Sequence, residues 1–305
     1  MDNLAKAVLE TVVYFDIFDF PLTVLELFKW LKVKNQPKNF EVSELQKVLQ
    51  QLTAKIETKD GFYFLKGREE IILTRLSRYN ISEQKFKRAR KYIKLLRFIP
   101  FIKGVMICNR LGYNNVHQDS DIDLAVIVKK NRLWLARFLS VGLLNILKVR
   151  PKQIKRALAI DLNFFISEEK LNVESLIFDE DFVFPYWLSQ FIGVYNQKTF
   201  NNFGQENQWL SNYLPNYQLY SLNKRRQVKN NWLVALVRFK LKLFFNWDFW
   251  EKWAQKFQQK IMPPELKAMI NQDSRVIINK YILKFHQSDN WKKLKVELNK
   301  RFASF

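Results

Sequence analysis

The sequence has few residues that interrupt helices, form disulfides or bind zinc. Its 305 residues include 7 Gly, 8 Pro, one cysteine (Cys108) and two histidines, His117 and His286. A single thiol excludes an intramolecular disulfide, and so few Cys and His residues exclude a structural zinc site of the Cys/His type. The scarcity of Gly and Pro argues against a turn-dense all-β protein and favours long helices.

A long apolar run is also absent. The longest one, 133–147, is interrupted by Arg137 and is shorter than the roughly 20 residues that a membrane-spanning helix needs. The segment Met1–Lys6 does not begin the basic and then apolar pattern of a secretory signal. We therefore expect a cytoplasmic protein without a transmembrane segment.

Positive charge and aromatic side chains are in excess. Lys and Arg number 51 against 29 Asp and Glu, which gives a net charge of +22, and 15% of the residues are aromatic. More than half of the excess charge lies in residues 219–305. This balance predicts a polyanionic partner such as nucleic acid, a nucleotide or an anionic membrane surface.

The patterning divides the chain into three predicted regions. Residues 1–83 combine helical apolar patterns with two strands around Asp60-Gly61, which is typical of a winged-helix-like module. The helix predicted at 42–54 would either read DNA or pack against another domain. Residues 84–178 form a second domain that begins with a basic helix, and residues 179–305 form a mainly helical C-terminal domain rich in basic and aromatic residues.

Two carboxylates open an apolar strand in the second region. Asp121 and Asp123 are followed by an apolar run to Val128, and a period of two puts both acids on one face, about 6 to 7 Å apart along the strand. Such acids repel each other beside an apolar core unless a cation neutralises them. The pattern indicates a Mg²⁺ site suited to phosphoryl or nucleotidyl transfer, with an ordinary polar strand entry as the alternative.

The segment Ser120–Ile127, S-D-I-D-L-A-V-I, resembles the nucleotidyltransferase superfamily that includes DNA polymerase β and the minimal nucleotidyltransferases. Members of that superfamily have an apolar strand, a Gly-Ser turn, a loop and then Asp-apolar-Asp, and the layout here has the same length. The aromatic segments 186–196 and 207–216 are similar to those of uncharacterised bacterial members. The resemblance implies an α+β fold with a mixed β-sheet and flanking helices, preceded here by the winged-helix-like module and followed by the helical domain.

Asn109 and Arg110 stand where the superfamily has Gly-Ser. The resemblance gives these two residues, together with Ser120, the role of holding the triphosphate. Asn tolerates positive φ and offers an amide, and the Arg guanidinium can bind phosphate through two hydrogen bonds. The loss of Gly-Ser leaves two alternatives, a divergent active enzyme or a catalytically silent copy of the fold.

A third carboxylate is implied by the resemblance, from a later strand beside the first two. Asp161 is the candidate, as a polar residue within the apolar run 157–166. Asp121, Asp123 and Asp161 would then be the catalytic and metal-binding residues. In the alternative, Asp161 pairs with a basic neighbour such as Lys155 or Arg156.

The resemblance implies a Mg²⁺-dependent nucleotidyltransferase that transfers a nucleoside monophosphate from a nucleoside triphosphate to a hydroxyl acceptor. The alternative function is a silent nucleotidyltransferase-fold protein that binds nucleic acid through its basic surface. Residues 219–262, where basic residues alternate with tryptophans, would contact nucleic acid together with the winged-helix-like module. The same pattern also suits a helix on a membrane surface, or a solvated basic face over an aromatic core.

Overall fold

Helices and two β-sheets make up the fold. The computed structural model describes residues 3–32, 41–177, 182–219, 221–286, 291–303 and 305. Along the chain the helices and strands are α1 (Asn3–Asp16), β1 (Leu22–Thr23), α2 (Val24–Trp30), α3 (Val42–Gln51), β2 (Ile56–Lys59), β3 (Phe62–Leu65), α4 (Ile71–Leu96), β4 (Ile102–Ile107), β5 (Ile122–Val128), α5 (Leu133–Ile146), β6 (Ile160–Ser167), α6 (Val183–Ser189), β7 (Ile192–Tyr195), α7 (Gln197–Glu206), α8 (Trp232–Phe245), α9 (Asp248–Lys260), α10 (Pro264–Ala268), β8 (Val276–Ile278), β9 (Ile282–Phe285) and α11 (Trp291–Phe302).

The first region carries three helices and a small sheet with the strand order β1-β3-β2. Strands β2 and β3 pair antiparallel, and Asp60 and Gly61 between them have φ of 53° and 78°. Two consecutive residues at positive φ match the right-handed twist of the flanking strands, so the predicted hairpin is confirmed. Helix α4 continues through the predicted boundary at residue 83 and joins this region to the next.

A mixed six-stranded sheet, with the order β7-β4-β5-β6-β9-β8, lies at the centre of the molecule. Strands β5 and β6 are parallel, and the other neighbouring pairs are antiparallel. Side chains of β5 alternate between two apolar clusters, with Ala125 and Ile127 in one and Leu124 and Val126 in the other. The α+β class with a mixed sheet and flanking helices is thereby confirmed, and β5 is buried on both faces.

The sheet extends across the predicted boundary between residues 178 and 179, which itself lies outside the described residues. Strands β7, β8 and β9 come from the C-terminal region and pair within the sheet of the second region. Residues 192–195, in the region expected to be mainly helical, form strand β7 and pair with β4. Gly193 allows Phe200 of α7 to pack directly against β7, since a Cβ at position 193 would lie 2.3 Å from the ring of Phe200.

The N-terminal region packs against the C-terminal region. Tyr14 stacks on Tyr186 with ring centroids 4.2 Å apart, and the Trp30 indole N–H donates to Ser189 Oγ at 3.1 Å. One aromatic cluster therefore contains side chains from both regions, as the packing alternative for the N-terminal module predicts. Among the described residues, no helix is both long and apolar enough to cross a bilayer.

Arg78 of α4 connects the N-terminal region to the loop before β5. Its guanidinium is buried and donates to Phe18 O at 2.6 Å, Asn115 Oδ1 at 3.0 Å and Asp19 Oδ2 at 3.1 Å. Arg78→Ala leaves these acceptors without their donor, so we expect the free energy of unfolding to fall by about 3 kcal/mol. Urea unfolding of the full chain measures it, and Lys87→Ala on an exposed face of the same helix is the control. Equal losses in the two variants would contradict the assignment of Arg78 as a connecting residue.

Candidate functional site

A cavity of about 1060 Å³ lies beside the first residues of β5 and β6. Its lining includes every residue predicted to form the site, namely Asn109, Arg110, Ser120, Asp121, Asp123 and Asp161. The other walls come from α5, the 150–156 loop, α6, α9 and β9. The predicted residues are therefore gathered around one space large enough for a small-molecule ligand.

The strand register brings the three acids together. Asp123 of β5 is the direct partner of Asp161 on the parallel strand β6. Asp121 precedes β5 by one residue and has the same side-chain parity as Asp123. All three carboxylates consequently reach the cavity from neighbouring positions at one end of the sheet.

Asp123 is held in an environment that favours its protonated form. Burial, followed by the charge of Asp121, raises the pKa of the Asp123 carboxyl to about 7. Hydrogen bonds from Asn109 and Asn163 oppose this rise, and the Asn163 Nδ2–H donates to Asp123 Oδ1 at 3.3 Å. A carboxyl that titrates near neutral pH can give up its proton when a cation binds.

The raised pKa of Asp123 predicts a pH-dependent stability. Between the ordinary pKa of 3.8 and about 7 the folded protein binds this proton more strongly than the unfolded chain. Protonated Asp123 therefore contributes fully to the folding stability below pH 3.8, its pKa in the unfolded chain, and this contribution is lost as pH rises through about 7. We expect Asp123→Asn to be more stable than the wild type by about 2 kcal/mol at about pH 8, with the difference vanishing near pH 4.

Urea unfolding across this pH range checks the prediction. Asp119→Asn, which removes one negative charge at an exposed position of the preceding loop, is the control. Its stability relative to the wild type should not increase in this way between about pH 4 and about pH 8. A constant difference between Asp123→Asn and the wild type at all pH values would contradict the assigned environment of Asp123.

Arginines contact the other two acids. Arg150 Nη1 donates to Asp161 Oδ1 at 2.5 Å, and Arg156 Nε lies 3.7 Å from Asp121 Oδ1. Sequence reasoning named Lys155 or Arg156 as the alternative partner of Asp161. The partner is Arg150 instead, because the 150–156 loop turns back on itself before β6 and directs Arg156 towards Asp121.

The Asn109–Tyr113 segment, a 3₁₀ turn, forms the wall at the predicted Gly-Ser position. Asn109 has φ of 57°, the left-handed conformation for which Asn is suited, and its Oδ1 accepts from the indole N–H of Trp187. The Arg110 guanidinium lies over the Phe18 ring, 5.4 Å from its centroid. The Ser120 carbonyl accepts from Lys85 Nζ, which leaves the Ser120 hydroxyl as the group of that residue available to a ligand.

Sequence reasoning missed the wall formed by β9 and α5. Lys284 and His286, at the end of β9, line the cavity together with Arg137. Burial, then the charge of Lys284, lowers the pKa of His286 to about 4, so its imidazole is neutral at pH 7. Burial also lowers the pKa of Arg137 to about 10, which leaves its guanidinium charged. The sequence does contain one indication of this wall. Lys284 interrupts the apolar run Ile282–Phe285, and a buried lysine in a strand requires a polar neighbour.

The carboxylates of the cavity can be compared with the ligands that Mg²⁺ requires. Within the described ranges, no group of three or more His, Cys, Asp or Glu is arranged to hold a metal ion, and Asp161 is paired with Arg150. Mg²⁺ often takes only one or two carboxylates and completes its shell with water and phosphate oxygens. Asp121 and Asp123, whose mutual repulsion contributes to the raised pKa of Asp123, fit such a two-carboxylate site.

Comparison of the chain with protein-family models, with curated proteins and with solved structures finds no match. Function is therefore inferred from the S-D-I-D segment at Ser120–Asp123 and from the cavity that Ser120, Asp121 and Asp123 line.

Proposed function

We propose that the protein is a Mg²⁺-dependent nucleotidyltransferase that transfers a nucleoside monophosphate from a nucleoside triphosphate to a hydroxyl acceptor. The observation that carries the proposal is the convergence of Asp121, Asp123 and Asp161 on one cavity that also holds the Asn109-Arg110 turn. In this proposal the six-stranded sheet is a divergent nucleotidyltransferase sheet, and residues 1–83 are a winged-helix-like module.

Asp121 and Asp123 hold the metal in this proposal. Mg²⁺, when bound, neutralises the triphosphate and lowers the pKa of an acceptor hydroxyl. The Asp123 carboxyl, with its pKa near 7, releases its proton as the cation arrives, and Asn163 keeps the carboxylate oriented through its hydrogen bond. Binding of the metal should therefore release protons at neutral pH.

Cationic side chains of the cavity bind the triphosphate. Arg110, Arg150, Lys152 and Arg156 lie along its lining, and guanidinium groups match phosphate oxygens in charge and in hydrogen-bond geometry. Asn109 adds a side-chain amide where the superfamily has a glycine. The charge that develops on the departing pyrophosphate is stabilised by the same groups.

Asp161 accepts the proton of the acceptor hydroxyl. Without ligand its carboxylate is engaged by Arg150. A phosphate group competes for the same guanidinium, and its binding frees Asp161 to act as a base. The acceptor oxygen then attacks the α-phosphorus, the bond to the bridging oxygen breaks, and pyrophosphate leaves.

A second candidate function is a catalytically silent copy of this fold that binds nucleic acid. The contacts of Asp161 with Arg150 and of Asp121 with Arg156 favour it, because both acids are neutralised without a metal. Residues 219–262 and the N-terminal module would then contact the polyanion. This candidate requires affinity that falls steeply with salt and does not depend on Mg²⁺.

Isothermal titration calorimetry with each nucleoside triphosphate, with and without Mg²⁺, tests the proposal. We expect one triphosphate to bind about 100-fold or more tightly when Mg²⁺ is present and to release protons on binding. Comparison of buffers with different ionisation enthalpies detects the proton release. Incubation of that triphosphate with candidate acceptors and detection of pyrophosphate then identifies the reaction. Absence of Mg²⁺-dependent binding, together with salt-sensitive binding of an oligonucleotide, would favour the silent scaffold.

A further inference from the structure

Helix α8 buries little and exposes most of its apolar side chains. Among its described residues, Val234 is the only one that is buried. Exposed instead are Trp232 at 76%, Leu236 at 44%, Phe239 at 60% and Leu243 at 63%, followed by Trp247 at 72% in the corner before α9. We call these five residues the α8 outer stripe. The alternative of a solvated basic face over an aromatic core does not describe this helix, because Trp232, Phe239 and Phe244 are exposed, while Phe245 packs against the core.

Four members of the α8 outer stripe lie on one side of the helix, and Trp247 follows its end at Phe245. At about 100° per residue, Trp232, Leu236, Phe239 and Leu243, spaced by three or four residues, share a face, and Val234 lies on the opposite one. Lys240 and Lys242 fall roughly 80° to either side of the stripe's midline. Both lysines are exposed. The stripe has a cation on each side, and the exposed side chains of Leu233 (45%) and Phe244 (59%) widen the apolar surface beyond Lys240.

Helix α8 is held firmly with the stripe facing outward. The Arg238 guanidinium, on the inner side of the helix, donates to the backbone carbonyls of four residues at 2.6 to 2.9 Å, namely Arg97, Ile99, Pro100 and Ile102. The four hydrogen bonds to one guanidinium anchor α8 beside the start of β4. The exposure of the α8 outer stripe is consequently a property of the docked helix.

The two acidic residues of the segment that contains α8 form contacts with α5 and the residue before it. Residues 219–262 contain two acids, Asp248 and Glu251. Asp248 Oδ1 accepts from Arg132 at 2.8 Å, and the Glu251 carboxylate accepts from the first backbone N–H groups of α5 at 2.9 Å. Lys240 and Lys242 therefore have one exposed acid in their own segment, Asp248, whose carboxylate is shared with Arg132.

We propose that the α8 outer stripe binds the surface of an anionic lipid bilayer. The helix would lie in the plane of the interface, with its apolar side chains at the boundary between headgroups and acyl chains and with Lys240 and Lys242 on lipid phosphates. Tryptophan is enriched at this depth, and the stripe has one at each end. A surface cavity of about 610 Å³, lined by Phe239, Leu243 and Trp247 with Lys242, Asn246 and Asp248, adds a recess for part of one lipid.

The side-chain chemistry favours lipid over the two other occupants of such a face. Leu236 and Leu243 lie between the three aromatic members of the stripe and offer no ring on which a base can stack, whereas single-stranded nucleic acid is bound by aromatic side chains that stack successive bases. A second copy of the chain, related by a two-fold axis, would place Lys240 and Lys242 near their own equivalents, where like charges repel. In an anionic bilayer the acyl chains would contact the apolar side chains of the stripe, and the lipid phosphates would contact Lys240 and Lys242.

Co-sedimentation of the full chain with vesicles of phosphatidylcholine, prepared with and without phosphatidylserine, tests the proposal. We expect the protein to pellet with the phosphatidylserine vesicles, with a shift of tryptophan emission to shorter wavelength. Leu236→Gln/Phe239→Gln/Leu243→Gln should lower the partition coefficient by roughly tenfold or more, since binding scales with the apolar area inserted. Lys240→Glu/Lys242→Glu should cause a similar loss on anionic vesicles.

Matched variants separate the stripe from general surface properties. Leu73→Gln/Ile146→Gln removes exposed apolar side chains elsewhere, and Lys87→Glu/Lys198→Glu makes the same charge change on other exposed faces. Both should bind vesicles as the wild type does, and circular dichroism should show all variants folded. Equal binding by the stripe variants, or no binding to either vesicle, would overturn the proposal. So would an oligonucleotide complex or a dimer that only the stripe variants lose, in the absence of vesicle binding.

Discussion

Asp121→Asn/Asp123→Asn is expected to lose Mg²⁺-dependent affinity for nucleoside triphosphate by about 100-fold or more. Both carboxylates line the cavity, and an amide is a poor ligand for a divalent cation compared with a carboxylate. The residual affinity should be independent of Mg²⁺, since Arg110 and Arg150 still attract phosphate. Calorimetric titration of the variant and the wild type in parallel measures the effect.

Loss of folding cannot account for this result. The double variant removes the repulsion that contributes to the raised pKa of Asp123, so at about pH 8 it should be at least as stable as the wild type. Asp119→Asn makes the same type of substitution at an exposed position of the preceding loop, and this control should retain Mg²⁺-dependent binding. Wild-type affinity in the double variant would remove Asp121 and Asp123 from the proposed metal site.

Gly112→Ala is expected to destabilise the protein by about 3 kcal/mol or more. A Cβ at position 112 would lie 1.9 Å from the backbone oxygen of Gln190 and 2.9 Å from its carbonyl carbon. Both are backbone atoms at the end of α6 and cannot rotate away. The 3₁₀ turn that carries Asn109 and Arg110 would have to shift, so triphosphate affinity should decrease together with stability.

Gly142→Ala is the control for Gly112→Ala. A Cβ at position 142, inside α5, meets no atom within 4 Å, and alanine favours a helix interior over glycine by roughly 0.5–1 kcal/mol. This variant should therefore unfold at a higher temperature than the wild type, as differential scanning calorimetry would show. A Gly112→Ala protein of wild-type stability would contradict the close approach of the turn to α6.

Local patterns predicted the elements that depend on neighbouring residues in the chain. The alternation from Asp121 to Val128 fixed which side chains of β5 face the cavity and which enter the two cores. Asp60-Gly61 predicted its hairpin because two positive φ angles are needed there. The preference of Asn109 for a left-handed conformation was also correct.

Pairing across long sequence separations could not be predicted in this way. Residues 192–195 have apolar spacing that fits a helix or a strand, and the partner strand β4, far away in the sequence, decides between them. Strand β9 lies beside β6, and no local pattern indicates that pairing. Lys284 was therefore missed, because its position at the cavity follows from the placement of β9.

The strand order also determines when each strand of the sheet can pair during synthesis. When synthesis has reached residue 177, β4, β5 and β6 exist, and both outer strands of this trio still have unpaired backbone groups. Strand β7 then covers β4, and β9, which is synthesised after α10, covers β6. Until β9 has been synthesised, the nascent chain presents an open sheet edge of the kind that pairs with other chains and aggregates. Folding efficiency should consequently depend on chaperones that shield β6 until the β8-β9 hairpin can pair with it.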